Sequence, residues 1–402
     1  MILDPRTPGA PGRRAFLRSA CRHCLALGAL AGLPALAAEA AEADDGLLPA
    51  RFVRPASDSD EGGLWALMDR EEARLRRSPL TLRDEGLKAY LAGLVKRLAP
   101  THSPDIRPHT VRMPLFNAMM APNGMMIVWS GLLLRAENEA QLAAVIGHEL
   151  GHYLERHTLE QMRSARNHAL AAQLVGLIGG WGSVAGQLGL AASMFAFSRE
   201  HESRADRLGM RLMKRAGYDG GQAPLVWENL LAELRVTGGQ EAGQRADIFA
   251  THPTTAGRRD ELRQMAGDGG GELGAERLRQ AIAPLRFGWL QDEIKRGQYE
   301  ESLVLFDRMV AVDGQDTEAR YARGEVYRLR DEGGDADRAL ADLDLASQAK
   351  QPPAETFRSL GLVHQQRNDS AGALKAFQQY LAMAPKAADA GLVRGYLTDL
   401  KP

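Results

Sequence analysis

Two histidines one helical turn apart, with a glutamate beside the first, form the clearest chemical motif of the 402-residue chain: His148-Glu149-Leu150-Gly151-His152. At this spacing both imidazoles point the same way on a helix, with Cβ atoms roughly 5–6 Å apart. That separation lets both bind one zinc ion, and Glu149 is directed at the side where a water would sit. The motif predicts His148 and His152 as metal ligands and Glu149 as the proton acceptor.

A second cluster of acidic residues, Ser198–Asp206, offers candidates for a third ligand. Glu202 is the predicted ligand, because a His-His-Glu set needs no thiolate and leaves a fourth position on zinc open. Asp206, one turn later, is predicted to accept a hydrogen bond from the distal nitrogen of a ligand histidine. The alternative is a solvated helix face in which these carboxylates pair with Arg199, Arg204 and Arg207.

The composition is average for a globular protein. Hydrophobic residues make up 45% of the chain, charged residues 25%, and the formal net charge is -1. These values disfavour wholesale disorder and a polytopic membrane protein. The sequence contains no basic stripe that would follow a phosphate backbone, so no nucleic-acid partner is expected. A chain of this length is expected to form two or three domains.

The N-terminal residues have the features of an export signal. An Arg13-Arg14 pair is followed by an uncharged stretch over 25–38 and by a small-residue cleavage site ending at Ala37. An ordinary basic amphipathic helix would not require these features in this order. We therefore expect residues 1–37 to be a twin-arginine signal peptide and the mature protein to be periplasmic.

Both cysteines of the chain, Cys21 and Cys24, precede the expected cleavage site. Neither follows the small apolar residues of a lipoprotein signal. The mature chain is expected to contain no cysteine, which suits an oxidising compartment. Any metal in it must then be held by histidine and carboxylate.

Apolar spacing and turn residues outline the elements around the motif. Two helices are predicted between Leu64 and Leu98, and a strand at Met125–Trp129 follows the Pro122-Asn123-Gly124 turn. A helical pattern resumes near Asn138 and continues through the motif. An extended substrate is expected to add as a further strand along Met125–Trp129, interpreted as a sheet edge.

The stretch from Ala169 to Ser198 contains no charged residue, a feature that it shares with membrane-spanning helices. Glycines at 179, 180 and 182 would interrupt a single helix near its middle. Two apolar helices of roughly ten to fifteen residues remain, a length that suits a buried hairpin better than a span. A hairpin in peripheral contact with the membrane is the alternative.

From Ala275 onward the sequence is helical and repetitive. Gly324 and Gly361 recur with similar residues at matching offsets after each, and a weaker first copy surrounds Phe306. Tetratricopeptide repeats have a period of about 34 residues, with small residues where paired helices touch. Residues 275–402 are predicted to form about two to three such repeats, with a generic helical bundle as the alternative. The matching pairs are Tyr327 and His364, Ala339 and Ala373, and Leu343 and Phe377.

The motif segments closely resemble one family, the HtpX/BepA-like gluzincin peptidases. The resemblance lies in residues 137–152 with Arg156-His157 after them, and in Glu202-Ser203-Arg204-Ala205-Asp206, which is similar to the family's third-ligand helix. It covers roughly residues 60–260. A repeat module after the peptidase makes the periplasmic BepA-like branch the best fit. Arg204 stands where the family commonly has an acidic residue. Further similar segments are Asn117-Ala118, Pro122-Asn123-Gly124 and Gly131-Leu132.

The resemblance implies a mainly α (α+β) fold. A zincin-like helical metallopeptidase domain with a small β-sheet is expected over residues 38–274, followed by a tetratricopeptide α-solenoid over 275–402. One Zn²⁺ per chain is the expected cofactor. In the BepA-like branch the implied role is turnover and assembly quality control of outer-membrane proteins. Unfolded or misassembled envelope proteins are the expected substrates, and outer-membrane assembly machinery is a candidate partner of the repeats.

Sequence alone leaves the role of His252 open. It precedes a proline in Thr251-His252-Pro253, a setting typical of a loop or capping residue. The resemblance implies instead that this histidine reaches the metal's fourth position and restrains activity. Three other candidates are expected not to bind the metal, two of them because they project from other faces of the helix that carries Glu202. These are Glu200, His201 and His157.

The sequence therefore predicts an exported zinc-dependent endopeptidase. Glu149 would take a proton from the attacking water and pass it to the leaving amine. A periplasmic chaperone or assembly scaffold with a latent zinc site is the alternative from another class of protein. A third reading is an integral-membrane peptidase anchored through residues 169–198.

Overall fold

The computed structural model describes residues 48–164, 197–239, 252 and 256–400. The predicted signal peptide and almost all of the apolar stretch 169–198 lie outside the described residues. Within the described ranges, no helix combines the length and apolar character needed to cross a bilayer. Leu48–Pro402 forms one compact unit.

Two amphipathic helices precede the sheet, α1 (Asp60–Leu75) and α2 (Glu85–Leu98). The side chains of Ser59 and Asp84 accept backbone N–H bonds in the first turns and so cap the two helices. The prediction of two helices here is confirmed. The buried apolar residues are Leu64, Leu67, Met68 and Leu75 on α1, and Leu87, Leu91, Leu94, Val95 and Leu98 on α2.

Four short strands form a mixed sheet in the order β1-β2-β4-β3. Strand β4 pairs in parallel with β2 and antiparallel with β3, and all five of its residues are buried. The short β1 pairs antiparallel with β2 on the other side. The strands are β1 (Thr81–Leu82), β2 (Arg107–Val111), β3 (Ala118–Met120) and β4 (Met125–Trp129).

The strand predicted at Met125–Trp129 is present, but the prediction that it forms a sheet edge is wrong. Ala118–Met120 pairs with it and takes the edge position among the described residues. This strand has three residues, too few for alternation to be recognised in the sequence. Gly124 in the connecting turn has φ 88°, and a Cβ there would clash with the carbonyl of Asp105.

The histidine motif lies on α4 (Glu139–Leu154), which is buried along its whole length. The Asn138 side chain caps this helix by accepting the N–H of Gln141, so the helix begins where the sequence predicts. The short α3 (Ser130–Arg135) precedes it, and α5 (His157–Ser164) follows a turn at Arg156.

The second motif lies on α6 (Arg199–Arg215), which packs directly across α4. A Cβ added to Gly151 would lie 2.8 Å from the Cα of Ala205, and one added to Gly209 would lie 2.8 Å from the carbonyl carbon of Gly147. The two backbones can approach this closely only because these positions carry no side chain. Two further helices, α7 (Gln222–Gly238) and α8 (Ala256–Ala266), complete this part.

Seven helices lie between residues 275 and 399 of the described chain. The first begins at Ala275, the predicted start of the C-terminal domain. The helices are α9 (Ala275–Lys295), α10 (Tyr299–Val312), α11 (Thr317–Arg330), α12 (Asp335–Ser347), α13 (Ala354–Gln366), α14 (Ser370–Met383) and α15 (Ala390–Asp399).

The positions predicted to be equivalent in the repeats make equivalent contacts. A side chain on Gly324 of α11 would clash with Leu343 of α12, and one on Gly361 of α13 would clash with Phe377 of α14. The expected fold, mainly helical with a small sheet, is confirmed. The assignment of these helix pairs as tetratricopeptide repeats stays a prediction.

A buried ion-pair network joins α9 to the helices around the motif. The Arg135 guanidinium on α3 lies 2.7 Å from Glu233 of α7 and 2.8 Å from Glu293 of α9. All three side chains are almost completely buried. Leaving one of these charges without its partner would be costly, so the network ties the C-terminal helices to this core.

Candidate metal centre

Four side chains converge inside the protein: His148 and His152 of α4, Glu202 of α6, and His252. One potential ligand atom from each lies within 4.8 Å of all the others. The two Nε2 atoms of His148 and His152 are 3.0 Å apart. The Glu202 carboxylate oxygens lie 3.5 Å and 3.4 Å from these nitrogens. None of the four residues is more than 3% exposed.

These separations fit a tetrahedral metal ion. Two ligand atoms bound to zinc at about 2.0–2.1 Å in tetrahedral geometry lie roughly 3.3 Å apart. The distances among His148, His152 and Glu202 lie on either side of that value. Imidazole nitrogens with one carboxylate suit zinc and also other divalent first-row ions. The site residues therefore fit a metal, and the donor set is compatible with zinc.

The predicted third-ligand segment faces the interior. Glu202 is 0% and Asp206 3% exposed, which argues against the alternative of a solvated helix face. Arg204 and Arg207 pair with other glutamates on neighbouring elements, which are Glu155, Glu160 and Glu261. The arginine at position 204 thus ties α6 to the chain around the end of α4.

His148 is held by a carboxylate. Its Nδ1–H donates to Oδ1 of Asp206 over 2.8 Å, so Nε2 is left to face the cluster. Although burial would lower the pKa of His148, the hydrogen bonds to Asp206 and Glu202 outweigh it and raise the pKa to about 10. Hydrogen bonds from His148 and Arg258 keep the pKa of Asp206 below its usual value despite its burial.

Arg258 of α8 supports the carboxylate of Asp206, a role that no sequence pattern indicated. Its guanidinium donates to both oxygens of Asp206, over 2.7 Å and 2.9 Å, and lies 2.7 Å from Oε2 of Glu202. Arg258 therefore lies against both carboxylates of the site, Asp206 and Glu202. The only signal was an arginine shortly after His252, and no spacing rule connects it to Asp206.

His152 is held by other rings. Its Nδ1 lies 2.9 Å from Nδ1 of His157, and the Phe197 ring stacks on it with centroids 3.9 Å apart. Burial, with the nearby His201, lowers the pKa of His157 to about 4. Burial also lowers the pKa of His152 well below its usual value, and the contact with Glu202 does not reverse this.

Glu149 lies beside the cluster and under the edge strand β3. Its Oε1 is 3.5 Å from Nε2 of His252, and its carboxylate accepts a backbone hydrogen bond from Met120. Burial raises the pKa of Glu149 above the usual range for a glutamate. A carboxyl with a raised pKa exchanges its proton closer to neutral pH, as a general base requires.

The structure places His252 inside the cluster. Its Nδ1 lies 3.1 Å from Oε1 of Glu202 and 3.2 Å from Nε2 of His148. The adjoining residues Thr251 and Pro253 lie outside the described part of the chain. The ring therefore stands where a fourth ligand would be, and the geometry favours this reading over that of a surface loop residue.

Comparison with known proteins gives matches over the same region. Residues 82–266 match the family model described as Peptidase family M48. The chain is 27% identical over 209 residues to the beta-barrel assembly-enhancing protease of Escherichia coli O157:H7, covering 48% of this chain and 42% of that protein. It is 32% identical over 176 residues to the mitochondrial metalloendopeptidase OMA1 of Schizosaccharomyces pombe, covering 42% of this chain and 50% of that protein. The chain thus spans half or less of the length of these relatives.

Proposed function

Because residues 82–266 form a peptidase family M48 domain, we propose that this chain is a zinc-dependent endopeptidase that hydrolyses unfolded or misassembled envelope proteins. The family resemblance seen in the sequence is confirmed by this match. The observation that supports the activity most directly is the buried cluster of His148, His152 and Glu202 with Glu149 beside it. The choice of zinc is based on the His-His-Glu donor set, which is a ligand set of catalytic zinc sites.

The residues of the site have separate roles in peptide hydrolysis. Zinc, when bound by His148, His152 and Glu202, supplies a Lewis acid that polarises the scissile carbonyl and lowers the pKa of water. Glu149 accepts the proton of the attacking water and passes it to the leaving amine. The burial that raises the pKa of Glu149 makes it a better proton acceptor. Asp206 holds the His148 ring in the tautomer that directs Nε2 to the metal.

The substrate is proposed to bind along β3 rather than β4. This strand is one of the two edges of the described sheet, and Met120 at its end reaches Glu149. An extended peptide added here would be held by backbone hydrogen bonds, which tolerate many sequences. Unfolded chains therefore fit better than folded ones.

A small cavity adjoins this strand and the cluster. Its volume is about 20 Å³, which holds roughly one water or one methyl group. A substrate side chain entering it would have to be small, so we propose a preference for glycine, alanine or serine next to the scissile bond. The cavity is lined by residues that include Met120, His152, Phe52, Tyr153 and Leu159.

His252 is proposed to restrain the resting enzyme. A ring in the fourth ligand position excludes the attacking water until the segment that carries it moves. The separations of 3.1 Å and 3.2 Å from Glu202 and His148 support this role. A role in stabilising the oxyanion would require the same ring to contact the substrate carbonyl instead.

The cellular setting is also a proposal. The Arg13-Arg14 pair and the apolar stretch after it support export to the periplasm by the twin-arginine route. Relatives named beta-barrel assembly-enhancing protease support a role in outer-membrane protein quality control. The C-terminal helices, proposed to be tetratricopeptide repeats, would bind a protein partner such as the assembly machinery. Peripheral membrane contact through residues 169–198 stays a prediction from the sequence, as the alternative to a buried hairpin.

The test of the proposed activity is Glu149→Gln in the mature protein. This variant is expected to keep the fold and the zinc but to lose cleavage of an unfolded substrate such as reduced casein, because only the proton acceptor is removed. Glu276→Gln, the same substitution at an exposed glutamate of α9 that contacts none of the proposed ligands, is the matched control. Undiminished cleavage by Glu149→Gln would rule out the mechanism.

The second candidate function is a periplasmic chaperone or scaffold with a latent zinc site. The placement of His252 in the fourth ligand position is the observation that favours latency. A scaffold would suppress aggregation of unfolded proteins equally well with Glu149→Gln and would cleave none of them in either form. Cleavage of an unfolded substrate by the parent protein would support the peptidase and rule out the scaffold.

A further inference from the structure

The end of α4 and the start of α5 direct two histidine rings at each other. The Nδ1 atoms of His152 and His157 are 2.9 Å apart, and both residues are buried. The ring centroids are 5.0 Å apart with an interplanar angle of 74°. This edge-to-face approach brings the two nitrogens within hydrogen-bond distance.

The direction of this hydrogen bond follows from the position of the cluster. Two imidazole nitrogens at this distance need one proton between them, so one ring donates and the other accepts. His152 directs Nε2 at His148 and Glu202, and this nitrogen needs a free lone pair to bind a metal. Its proton is therefore on Nδ1, and Nδ1 of His157 is the acceptor. His157 then carries its own proton on Nε2, which lies 3.4 Å from Oε2 of Glu155.

The His157 ring is held in place from two sides. Arg156 adopts φ 58°, a left-handed conformation that ends α4 and lets α5 turn back toward the cluster. On the other side, the His201 ring of α6 stacks on His157, with centroids 4.5 Å apart and an angle of 21°. His201 is the neighbour of Glu202 in the sequence. The ring is thus fixed by contacts with both helices that carry the proposed ligands.

We propose, on the basis of the proposed zinc site, that His157 is a positioning residue for the metal. It accepts the Nδ1–H bond of His152 and thereby fixes the tautomer and the ring orientation of that ligand. His157 does not bind the metal itself. This role is usually taken by a carboxylate, a backbone carbonyl or a water.

A neutral acceptor has a different effect from the carboxylate behind His148. A carboxylate partner orients a histidine and also makes it more basic. An uncharged imidazole orients the ring without adding a negative charge beside the site. His152 is therefore a well-oriented ligand that donates less charge to the metal than His148.

The test compares two substitutions in the full mature protein. His157→Asn keeps an acceptor, because the amide oxygen of asparagine can lie close to the position of the histidine Nδ1. His157→Leu fills a similar space without an acceptor. Zinc affinity is measured for each by competition with a chromophoric chelator, independently of peptidase activity. His157→Leu is expected to bind zinc roughly 10–100-fold more weakly than the parent, and His157→Asn to recover most of that loss.

The outcomes separate this role from a packing role. Equal losses in both variants, or full affinity in His157→Leu, would overturn the proposal. A parent protein that binds no zinc would overturn the proposed function instead. If neither variant folds, ring ¹⁵N shifts of the zinc-loaded parent decide, because the proposal requires His157 to be protonated on Nε2 and bare on Nδ1. The opposite tautomer would contradict it.

Discussion

His148 and His152 lie one turn apart on the same helix, yet they are held by different chemistry. His148 rests on the Asp206 carboxylate, which Arg258 holds in turn. His152 rests on the imidazole of His157. The helical spacing sets the common direction of the two rings, whereas their partners come from three other helices. Residues with the same predicted role can therefore differ in how firmly they are held and in how much charge they donate.

The largest effect is expected from removing the carboxylate behind His148. Asp206→Ala should weaken zinc binding by roughly 100-fold, since the ligand loses its tautomer and its basicity together. Loss of Asp206 also removes two hydrogen bonds from the buried Arg258, which should destabilise the fold by about 3 kcal/mol, the lower end of the range for a broken buried pair, since Glu202 still contacts the guanidinium. Chelator competition and thermal unfolding measure the two effects. Asp260→Ala, which removes an exposed carboxylate of α8, is the control and should change neither zinc affinity nor stability. Parental zinc affinity in Asp206→Ala would refute the proposed difference between His148 and His152.

A smaller effect on zinc binding is expected from substituting Arg258, which contacts the metal ligand His148 only through Asp206. Arg258→Lys keeps the positive charge, but an ammonium group cannot reproduce the bidentate hydrogen bonding of the guanidinium to Asp206. We expect roughly tenfold weaker zinc binding, at the lower end of the range for partners of metal ligands. Arg263→Lys on the exposed face of the same helix is the matched control for zinc affinity. Equal affinities in the two variants would show that charge alone is sufficient at position 258.

The next effect concerns the fourth position rather than the three ligands. His252→Ala should raise basal cleavage of an unfolded substrate severalfold while the bound zinc is retained, because the ring no longer excludes water. Cleavage rate and zinc content are measured on the same preparation. A fall of about a hundredfold would assign His252 to the oxyanion instead. An unchanged rate with unchanged zinc would exclude both roles.

The smallest perturbation is to leave the sequence unchanged and remove the metal. The pKa of His148, raised to about 10 by its carboxylate partners, places this ring in the charged form at pH 7. The pKa of His152, lowered by burial, places that ring in the neutral form at the same pH. Two-bond ¹H–¹⁵N spectra of the chelator-treated protein should show one charged and one neutral ligand ring. Two neutral rings at pH 7 would show that His148 and His152 do not differ in charge.

The local part of the site could be predicted from the sequence because it depends on helix periodicity alone. The four-residue spacing places His148 and His152 on one face wherever the helix lies. The structure brings Glu202 to them because α6 crosses α4 at glycines, and the Gly151 contact with Ala205 makes this possible. The donor chemistry and the family resemblance, rather than any spacing rule, made Glu202 a candidate.

The parts that could not be predicted depend on contacts distant in sequence. Arg258 acts on a carboxylate 52 positions away, and no local pattern indicates that pairing. The edge position of Ala118–Met120 depends on which strands become neighbours, and the strand is too short to be read on its own. His157 was expected not to bind the metal, and it lies outside the four-residue cluster. Its contact with the proposed ligand His152 was not indicated by any sequence pattern.

Zinc stoichiometry tests the account most directly. The mature protein and its Glu202→Ala variant are purified side by side without added metal, and zinc is counted per chain by mass spectrometry. We predict about one zinc per chain in the parent and well below one in the variant, because Glu202 is the only carboxylate among the four residues of the cluster and supplies the negative charge of the proposed ligand set. A parent without zinc, or full occupancy in Glu202→Ala, would contradict the proposed metal centre.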